Sequence, residues 1–252
     1  MKNLICGQKK NNIYVPISWN DTYRYINLLA NYLKNTGLCD GARVLLISEN
    51  RPEWQIADIA ILASNCVTVP AYTTITSFDY EYIINHSHCS AIILSNKQLY
   101  EKIETAINNL KISMDIILID NLQINSSEFI KIHKWKNIID NDAYENIDLI
   151  QLEATRKKRE DTACIIYTSG TSGFPKGVML SHGSILHNCE GAHQILKSAL
   201  NNVQNVIFLS WLPLSHSYEH TVQFYNLYSG HQIYYAEGID KLLINLSEVR
   251  PH

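Results

Sequence analysis

The chain has 252 residues and a formal net charge of −3 at pH 7, with 46% hydrophobic and 18% charged residues. This length suits one large domain or two small ones, the composition is ordinary for a globular protein, and the slightly acidic balance argues against a nucleic-acid partner. The six cysteines form no C-x-x-C pair, which is typical of reduced core residues in a cytosolic protein and argues against a disulfide scaffold.

The first part of the chain predicts alternating helices and strands without a targeting or membrane segment. The apolar run near the N-terminus is too short for a signal peptide, and no apolar run is long enough for a membrane span. Ser18, with Asp21 three residues later, predicts a helix that ends near Gly37. Further strands are predicted at residues 44–47, 66–69, 91–94 and 116–119, and further helices from Pro52, from about Ser77 and at residues 97–110.

Short apolar strands that alternate with helices predict an α/β fold. They are typical of mostly parallel sheets with helices on both faces. The pattern weakens between about residues 121 and 161, which we interpret as a polar linker or peripheral excursion. We therefore predict a first α/β subdomain with this linker at residues 1–160 and the start of a second at residues 161–252. In the second part, strands are predicted at residues 163–166, 206–209 and 232–235, and helices after Ser181 and at residues 217–228 and 240–246.

Residues 167–182 combine the features of a phosphate-binding loop between a strand and a helix that Ser181 can cap. A polyphosphate requires backbone N–H groups, small residues, hydroxyl donors and a cation. The segment supplies Gly170, Gly173 and Gly177, the hydroxyls of Thr168, Ser169, Thr171 and Ser172, and the cation Lys176. A Walker loop is excluded, because Lys176 is not preceded by Gly and followed by Ser or Thr. A surface turn without a ligand is the alternative reading of this composition.

A second polar segment, residues 211–216, follows the strand at residues 206–209. The end of a strand is where α/β folds present ligand groups. His216 and His220 stand four residues apart, but a zinc site would require a third ligand and the order H-E-x-x-H. Capping or packing roles are therefore favoured for both histidines, and no metal ligand is predicted.

These two segments resemble the adenylate-forming superfamily, which includes acyl-CoA synthetases, luciferases and the adenylation domains of peptide synthetases. Residues 167–182 (YTSGTSGFPKGVMLSH) are similar to its signature loop, with Ser172 where Thr is commoner. Pro213, Leu214 and His216 match a Pro-Leu-x-His segment of the family, whose histidine lies beside the bound carboxylate and the adenylate.

Residues 49–54 (ENRPEW) and 69–72 (VPAY) resemble the long-chain acyl-CoA synthetase branch, in which their role is structural. The similarity extends from about residue 18 to residue 251. It implies a reaction in two halves. A carboxylate attacks the α-phosphorus of Mg-ATP to give an acyl-adenylate and pyrophosphate, and the thiol of coenzyme A then displaces AMP. The implied cofactors are ATP, Mg²⁺ and coenzyme A as co-substrate.

The resemblance also implies the site residues and the partners. The ATP phosphates would be bound by Thr168, Ser169, Gly170, Thr171, Ser172, Gly173 and Lys176, and the implied catalytic residue is His216, which would border the acyl carboxylate. The substrate would be a long-chain fatty acid. We expect a cytoplasmic location and no nucleic-acid partner. Peripheral membrane contact is left open, although no segment has the basic amphipathic pattern of a membrane anchor.

Members of the family are much longer than this chain. Further along they carry a Tyr-Gly-x-Thr-Glu segment, a Thr-Gly-Asp segment and a C-terminal domain with a catalytic lysine, none of which occurs here. We therefore expect the N-terminal portion of a ligase. Three explanations stay open: a fragment, a gene remnant, or one half of a split enzyme completed by a separate C-terminal half. The rival hypothesis is a non-catalytic protein, either a weak nucleotide-binding module or a partner-dependent subunit that keeps the fold without turnover.

Overall fold

Two β-sheets organise the chain in the computed structural model, which describes residues 4–10, 13–141, 147–169, 173–200, 203 and 206–252. The strands are β1 (Leu4–Lys10), β2 (Ile13–Ser18), β3 (Arg43–Ile47), β4 (Val67–Pro70), β5 (Cys89–Leu94), β6 (Met114–Leu118), β7 (Ile130–Lys134), β8 (Thr162–Thr168), β9 (Lys176–Ser181), β10 (Ile207–Ser210) and β11 (Gln232–Tyr235). The helices are α1 (Trp19–Asn35), α2 (Pro52–Ala63), α3 (Ser77–Ser87), α4 (Lys97–Leu110), α5 (Trp135–Ile139), α6 (Leu149–Ala154), α7 (His182–Leu200), α8 (Ser217–Ser229) and α9 (Leu242–Val249), the last preceded by a 3₁₀ turn at Ile239–Lys241.

The larger sheet has seven strands in the order β7-β6-β5-β3-β4-β8-β9, and the smaller has four in the order β10-β11-β1-β2. Neighbouring strands are parallel except in the β1–β2 and β8–β9 pairs, which are antiparallel and lie at sheet edges. The predicted α/β class, with mostly parallel sheets, is therefore confirmed.

Helices cover both faces of the larger sheet. On β3, Val44 and Leu46 face the cluster that includes α1 and α2, whereas Leu45 and Ile47 face the cluster that includes α3 and α4. This alternation follows from the two-residue period of a strand, and it explains why β3 reads as a continuous apolar run. Helix α2 also contacts β1 of the smaller sheet, and Tyr235 of β11 joins the same core cluster.

Several predicted boundaries are confirmed by the hydrogen bonds at the helix ends. The Asp21 N–H donates to the Ser18 side chain over 3.1 Å at the start of α1. Helix α8 ends at Gly230, whose φ of 70° is the left-handed conformation that glycine adopts readily. The N-terminal hairpin β1–β2 was not predicted, because about half of its residues are polar or are Gly or Pro, and the apolar side chains of β2 are partly or fully exposed.

The stretch interpreted as a polar linker or peripheral excursion contributes the edge strand β7 and the short helices α5 and α6, so its described residues are not a linker. Strand β7 pairs in parallel with β6, and the side chains of Trp135 and Leu149 are buried in the core that contains α1. Only a few apolar side chains anchor this stretch, and the polar residues between them concealed the pattern. Residues 142–146 lie outside the described part of the chain.

The sheets do not follow the predicted division at residue 160. Strands β8 and β9 extend the sheet that begins with β3, and the N-terminal strand β1 pairs with β11 near the other end of the chain. The positions of subdomain boundaries stay a prediction.

Candidate active site

The predicted phosphate loop connects β8 to β9, so it is the turn of a hairpin. The sequence had predicted a direct connection from strand to helix, and that prediction was wrong. Val178 and Met179 pair with Ile166 and Ile165, so the apolar residues after the loop extend the sheet before the helix begins. The predicted cap at Ser181 is confirmed, since its hydroxyl accepts the Ser184 N–H over 3.2 Å.

Thr168 and Lys176 form the last described pair of the hairpin before the turn. Directly opposite residues of an antiparallel pair have Cα atoms about 4.5–5.5 Å apart and side chains on the same face. Both side chains are exposed, as is that of Ser169. In the described part of the chain, no carboxylate pairs with the Lys176 ammonium group. The structure therefore brings a hydroxyl and an uncompensated cation together at the mouth of the loop.

Two glycines of the loop have a physical reason to be glycine. Gly173 has a φ of 92°, which a side chain would strain. Gly177 lies opposite Tyr167, and an added Cβ would come within 2.9 Å of the Ile165 side chain and 3.3 Å of the Tyr167 ring. The predicted phosphate ligands Gly170, Thr171 and Ser172 lie outside the described residues, so their positions stay a prediction.

His216 lies at the N-terminus of α8, just after the carboxyl end of β10. Its Nδ1 accepts the Tyr218 N–H over 3.2 Å, and its side chain is exposed. His220, one turn later, is buried, with its Nε2 2.7 Å from Asp58 Oδ2 and its ring edge-on to Trp54. The histidines therefore cap and pack, as the sequence predicted. The proposed place of His216 beside a carboxylate stays a prediction.

Glu219, between the two histidines in sequence, is buried, as His220 is. Its side chain accepts a hydrogen bond from Gln223 over 2.9 Å. Burial raises the pKa of the Glu219 carboxyl group, and hydrogen bonds from Ser210, Gln223 and the Leu212 backbone partly offset that rise. Glu219 is therefore a packed residue of α8, bonded within the helix and to the segment that ends β10.

Asn50 connects the His216 segment to the larger sheet, and its part was missed from the sequence. Its Nδ2 donates to the Leu212 carbonyl over 2.6 Å and to the Ser210 hydroxyl over 3.3 Å, and its Oδ1 accepts the Leu214 N–H over 3.2 Å. Asn50 stands just after the carboxyl end of β3, and Ser210 ends β10. One side chain thus joins the ends of strands from both sheets. The sequence offered one signal of this role: Asn50 is a polar residue that stands between a buried strand and the Arg51-Pro52 pair.

The neighbours of Asn50 have the structural role that the resemblance implied. The Arg51 guanidinium contacts Glu53 over 2.9 Å and Asp120 over 2.7 Å. Burial opposes the charge of Arg51, but these two ion pairs outweigh it and raise its pKa above the ordinary value. Glu49 accepts hydrogen bonds from Ser95, over 2.5 Å, and from Asn96. These contacts fix the turn between β3 and α2.

A cavity of about 480 Å³ opens where the two sheets meet. Its lining includes Asn50, Thr73, Pro213 and Ala236, which follow the carboxyl ends of β3, β4, β10 and β11. Strand β4 lies between β3 and β8, so the phosphate loop leaves the same edge of the sheet about 10 Å away, at two strand spacings. Ligands of α/β sheets bind outside the carboxyl ends of the strands, which makes this edge the candidate active site.

A second cavity, of about 600 Å³, lies against the face of the β8–β9 hairpin. It extends to Arg43 and Val67 at the amino ends of β3 and β4, and its lining includes Lys157. Burial lowers the pKa of Lys157. Because this cavity lies toward the opposite ends of the strands, we do not assign it to the active site.

Residues 6–250 match the sequence model of the family described as AMP-binding enzyme. The chain belongs to the AMP-binding enzyme family. Among its curated relatives, Long chain acyl-CoA synthetase 4 of Arabidopsis thaliana is 31% identical over 246 residues, covering 94% of the chain and 36% of the relative. Fatty acyl-CoA synthetase A of Dictyostelium discoideum is 29% identical over 264 residues, covering 100% of the chain and 37% of the relative.

Solved structures agree with the fold. A luciferase-like enzyme from Zophobas morio superposes with a TM-score of 0.79 at 17% identity, covering 98% of this chain and 54% of that structure. A long-chain-fatty-acid-CoA ligase from Archaeoglobus fulgidus superposes with a TM-score of 0.77 at 18% identity, covering 99% of this chain and 47% of that structure. The resemblance stated from the sequence is therefore confirmed at the level of family and fold.

The chain spans only about 36–37% of the length of these two curated relatives. It corresponds to their N-terminal part. No helix in the described ranges is both long enough and apolar enough to cross a lipid bilayer.

Proposed function

We propose that the chain is the N-terminal part of a ligase that uses ATP to convert a long-chain fatty acid first to an acyl-adenylate and then to acyl-CoA. The observation that carries the proposal is the pairing of Thr168 and Lys176 at the mouth of the loop, at the carboxyl edge of the sheet. The names of the curated relatives support the same reaction and the fatty-acid substrate.

The ATP phosphates fit the exposed side of the hairpin. The Lys176 ammonium would meet the charge of the outer phosphates, and the hydroxyls of Thr168 and Ser169 would donate to phosphate oxygens. Gly173 leaves the backbone free of a side chain where the phosphates approach. These groups would stabilise the charge that grows on pyrophosphate as it leaves the α-phosphorus. We include Gly170, Thr171 and Ser172 in this site on the strength of the family resemblance.

The acyl carboxylate would lie toward the cavity between the two sheets. His216 is exposed at the start of α8, beside Pro213 and Ser215, which line that cavity. Its Nδ1 is engaged with the Tyr218 N–H, which leaves Nε2 as the atom that can face a ligand. We propose that His216 borders the carboxylate and the adenylate, while Asn50 keeps its segment against β3.

Magnesium and coenzyme A belong to the proposed reaction through the family resemblance. Bound to ATP, Mg²⁺ would neutralise phosphate charge during adenylation. In the parts of the chain that the structure describes, no three His, Cys, Asp or Glu side chains form a group that could hold a metal ion. The described residues do not by themselves make a magnesium site, so we derive no step through the ion.

A second chain segment would be needed for the complete reaction, because the relatives are almost three times as long as the part matched here. We propose that this segment is the C-terminal part of the same protein or a separate C-terminal half. We also propose a cytoplasmic location, and peripheral contact with a membrane surface stays an open alternative. The rival function is nucleotide binding without turnover, which the exposed Lys176 site would equally allow.

The test is nucleotide binding and ATP–pyrophosphate exchange by the purified chain, with fatty acids of several lengths. Lys176→Ala should weaken ATP binding about tenfold to a hundredfold, because one charge-assisted contact contributes about 1.5–3 kcal/mol. Lys197→Ala, which removes another exposed lysine from α7, is the matched control and should change nothing.

Exchange that requires both a long-chain acid and Lys176 would support the proposal. Equal ATP affinity in wild type and Lys176→Ala would contradict the phosphate site. ATP binding without exchange, from a folded sample, would favour the rival function over adenylation by this chain.

A further inference from the structure

Helix α3 contacts the phosphate loop on the side where the loop enters β9. The Tyr82 hydroxyl donates to the Pro175 carbonyl oxygen over 2.9 Å. The Tyr82 ring also stacks on the Phe174 ring, with centroids 5.5 Å apart and an angle of 29° between the planes. Even with this contact, Phe174 is 59% exposed. The limb of the loop just before Lys176 is therefore attached to one tyrosine.

The same helix contacts the other limb, where β8 leads into the loop. The Nδ1 atom of His86 lies 2.7 Å from the hydroxyl oxygen of Tyr167, the residue just before Thr168. Burial raises the pKa of Tyr167 to about 12, so the phenol keeps its proton near neutral pH and can donate it to His86. The limb that carries Thr168 is thus held as well.

Tyr82 and His86 form one unit. They stand four residues apart on α3, which places them on the same face of the helix. Their rings stack on each other, with centroids 5.2 Å apart and 20° between the planes. The result is a continuous row of rings from Phe174 through Tyr82 to His86, with a hydrogen bond to each limb of the loop.

The helix that carries this row is firmly placed. Thr76 and Asp79 form a capping box at its N-terminus, and Tyr80, Ile83 and Ile84 are buried in the core shared with β3 and β5. Stacked rings and hydrogen bonds both stabilise the arrangement that they join. Together these contacts oppose the conformational entropy that the two limbs of the loop would gain if they were free.

We propose that Tyr82 and His86 are positioning residues that hold the two limbs of the phosphate loop at the separation in which Thr168 and Lys176 reach the same polyphosphate. This rests on the proposed function, because it assigns the loop to ATP. If the loop is already held in its binding conformation, no conformational entropy has to be lost when the ligand binds, so binding is tighter. Loss of the row should therefore weaken ATP binding without removing any group that touches ATP.

The decisive variant is Tyr82→Phe, which removes only the hydroxyl that holds Pro175. Tyr80→Phe is the matched control, because the Tyr80 hydroxyl on the same helix also donates to a backbone carbonyl, that of Tyr72, over 2.7 Å. Hydrogen exchange of the peptide covering residues 168–177 is measured in the nucleotide-free chain. The dissociation constant of ATP is then measured by titration.

We expect Tyr82→Phe to speed exchange in this peptide and to weaken ATP binding about threefold to tenfold. Tyr82→Ala should do both to a larger extent. His86→Phe, which keeps a ring but loses the bond to Tyr167, should act like Tyr82→Phe. Tyr80→Phe should leave both the exchange and the ATP affinity unchanged, even if it lowers overall stability by a similar amount.

The outcomes separate this inference from the proposed function. Unchanged exchange in Tyr82→Phe and Tyr82→Ala, with an intact circular dichroism spectrum, would overturn the holding role. Faster exchange with unchanged ATP affinity would overturn the positioning role and leave only packing. If the wild-type chain binds no ATP, the proposed function fails, and the positioning role for ATP fails with it, whereas the exchange data still decide whether the row holds the loop.

Discussion

At the scale of single residues, the surroundings of His182 predict that the free energy of unfolding depends on pH. It is the first residue of α7, and its Nε2 is buried without a hydrogen-bond partner among the described residues. Burial lowers its pKa from the ordinary value near 6.5, the charge of Lys157 lowers it further, and Asp161 and Asp58 oppose these effects. The folded chain therefore prefers the neutral imidazole, whereas the unfolded chain takes up a proton at the ordinary pKa.

The sign of the resulting pH dependence follows from this difference. Where the unfolded state binds more protons, the free energy of unfolding rises with pH. We expect the contribution of His182 to the free energy of unfolding to be fully present above about pH 6.5. It should be lost as the pH falls through the lowered pKa that His182 has in the folded chain. His182→Gln should remove that slope.

The measurement is urea unfolding of the wild type and the variant between about pH 5 and pH 8. His231, whose pKa is also lowered by burial, contributes the same sign in both proteins and cancels in their difference. A difference in unfolding free energy that does not change with pH would contradict the assignment.

At the scale of elements, α8 shows how two residues of one type acquire different roles. His216 and His220 are one helical turn apart, but the first caps the helix in solvent and the second is enclosed beside Asp58 and Trp54. The sequence predicted that each would cap or pack. It could not say which did which, because Asp58 comes from α2, more than a hundred residues earlier.

The two histidines should differ accordingly in their effect on stability. His220→Ala leaves the buried Asp58 carboxyl group without its partner, so we expect a loss of about 2–4 kcal/mol in unfolding free energy. His216→Ala removes one cap and should cost about 1 kcal/mol or less. Urea denaturation of both variants tests this, and equal losses would count against the buried pair.

Prediction from the sequence was most reliable for elements with strong local signals. The Ser18 cap, the Pro52 start and the Gly230 end each act through contacts within a few residues. Strand β9 was missed because it follows a glycine-rich turn and most of its side chains are exposed, so that only its pairing with β8 defines it. Strand β7 was missed because polar residues interrupt its short apolar pattern, and its pairing with β6 defines its place.

At the scale of the whole molecule, Asn50 connects the sheets at the edge where the candidate site lies. Its three hydrogen bonds reach Ser210, Leu212 and Leu214, which are some 160 residues distant in sequence. The link keeps the segment that carries His216 against the carboxyl end of β3. The geometry of the site therefore depends on a residue that touches neither the loop nor His216 in these contacts.

We expect Asn50→Ala to lower the unfolding free energy by about 2–3 kcal/mol, because it leaves a backbone carbonyl and an N–H without partners. Hydrogen exchange at the Leu214 amide should accelerate as well. Asn109→Ala, which removes an exposed asparagine bonded to Glu81, is the control and should cost less than about 0.5 kcal/mol. Slow exchange at Leu214 in Asn50→Ala would contradict the link.

The sequence by itself determined the α/β class, most helix and strand boundaries and the set of residue types that the loop offers to a ligand. Each of these depends on local order: apolar periodicity, caps, or the spacing of glycines, hydroxyls and Lys176. Only the tertiary structure decided that Lys176 lies opposite Thr168, that Asn50 holds the His216 segment and that Tyr82 and His86 contact both limbs of the loop. These contacts join residues that are distant in the chain. Strand order and helix placement bring the residues together, and both depend on the packing of the whole core.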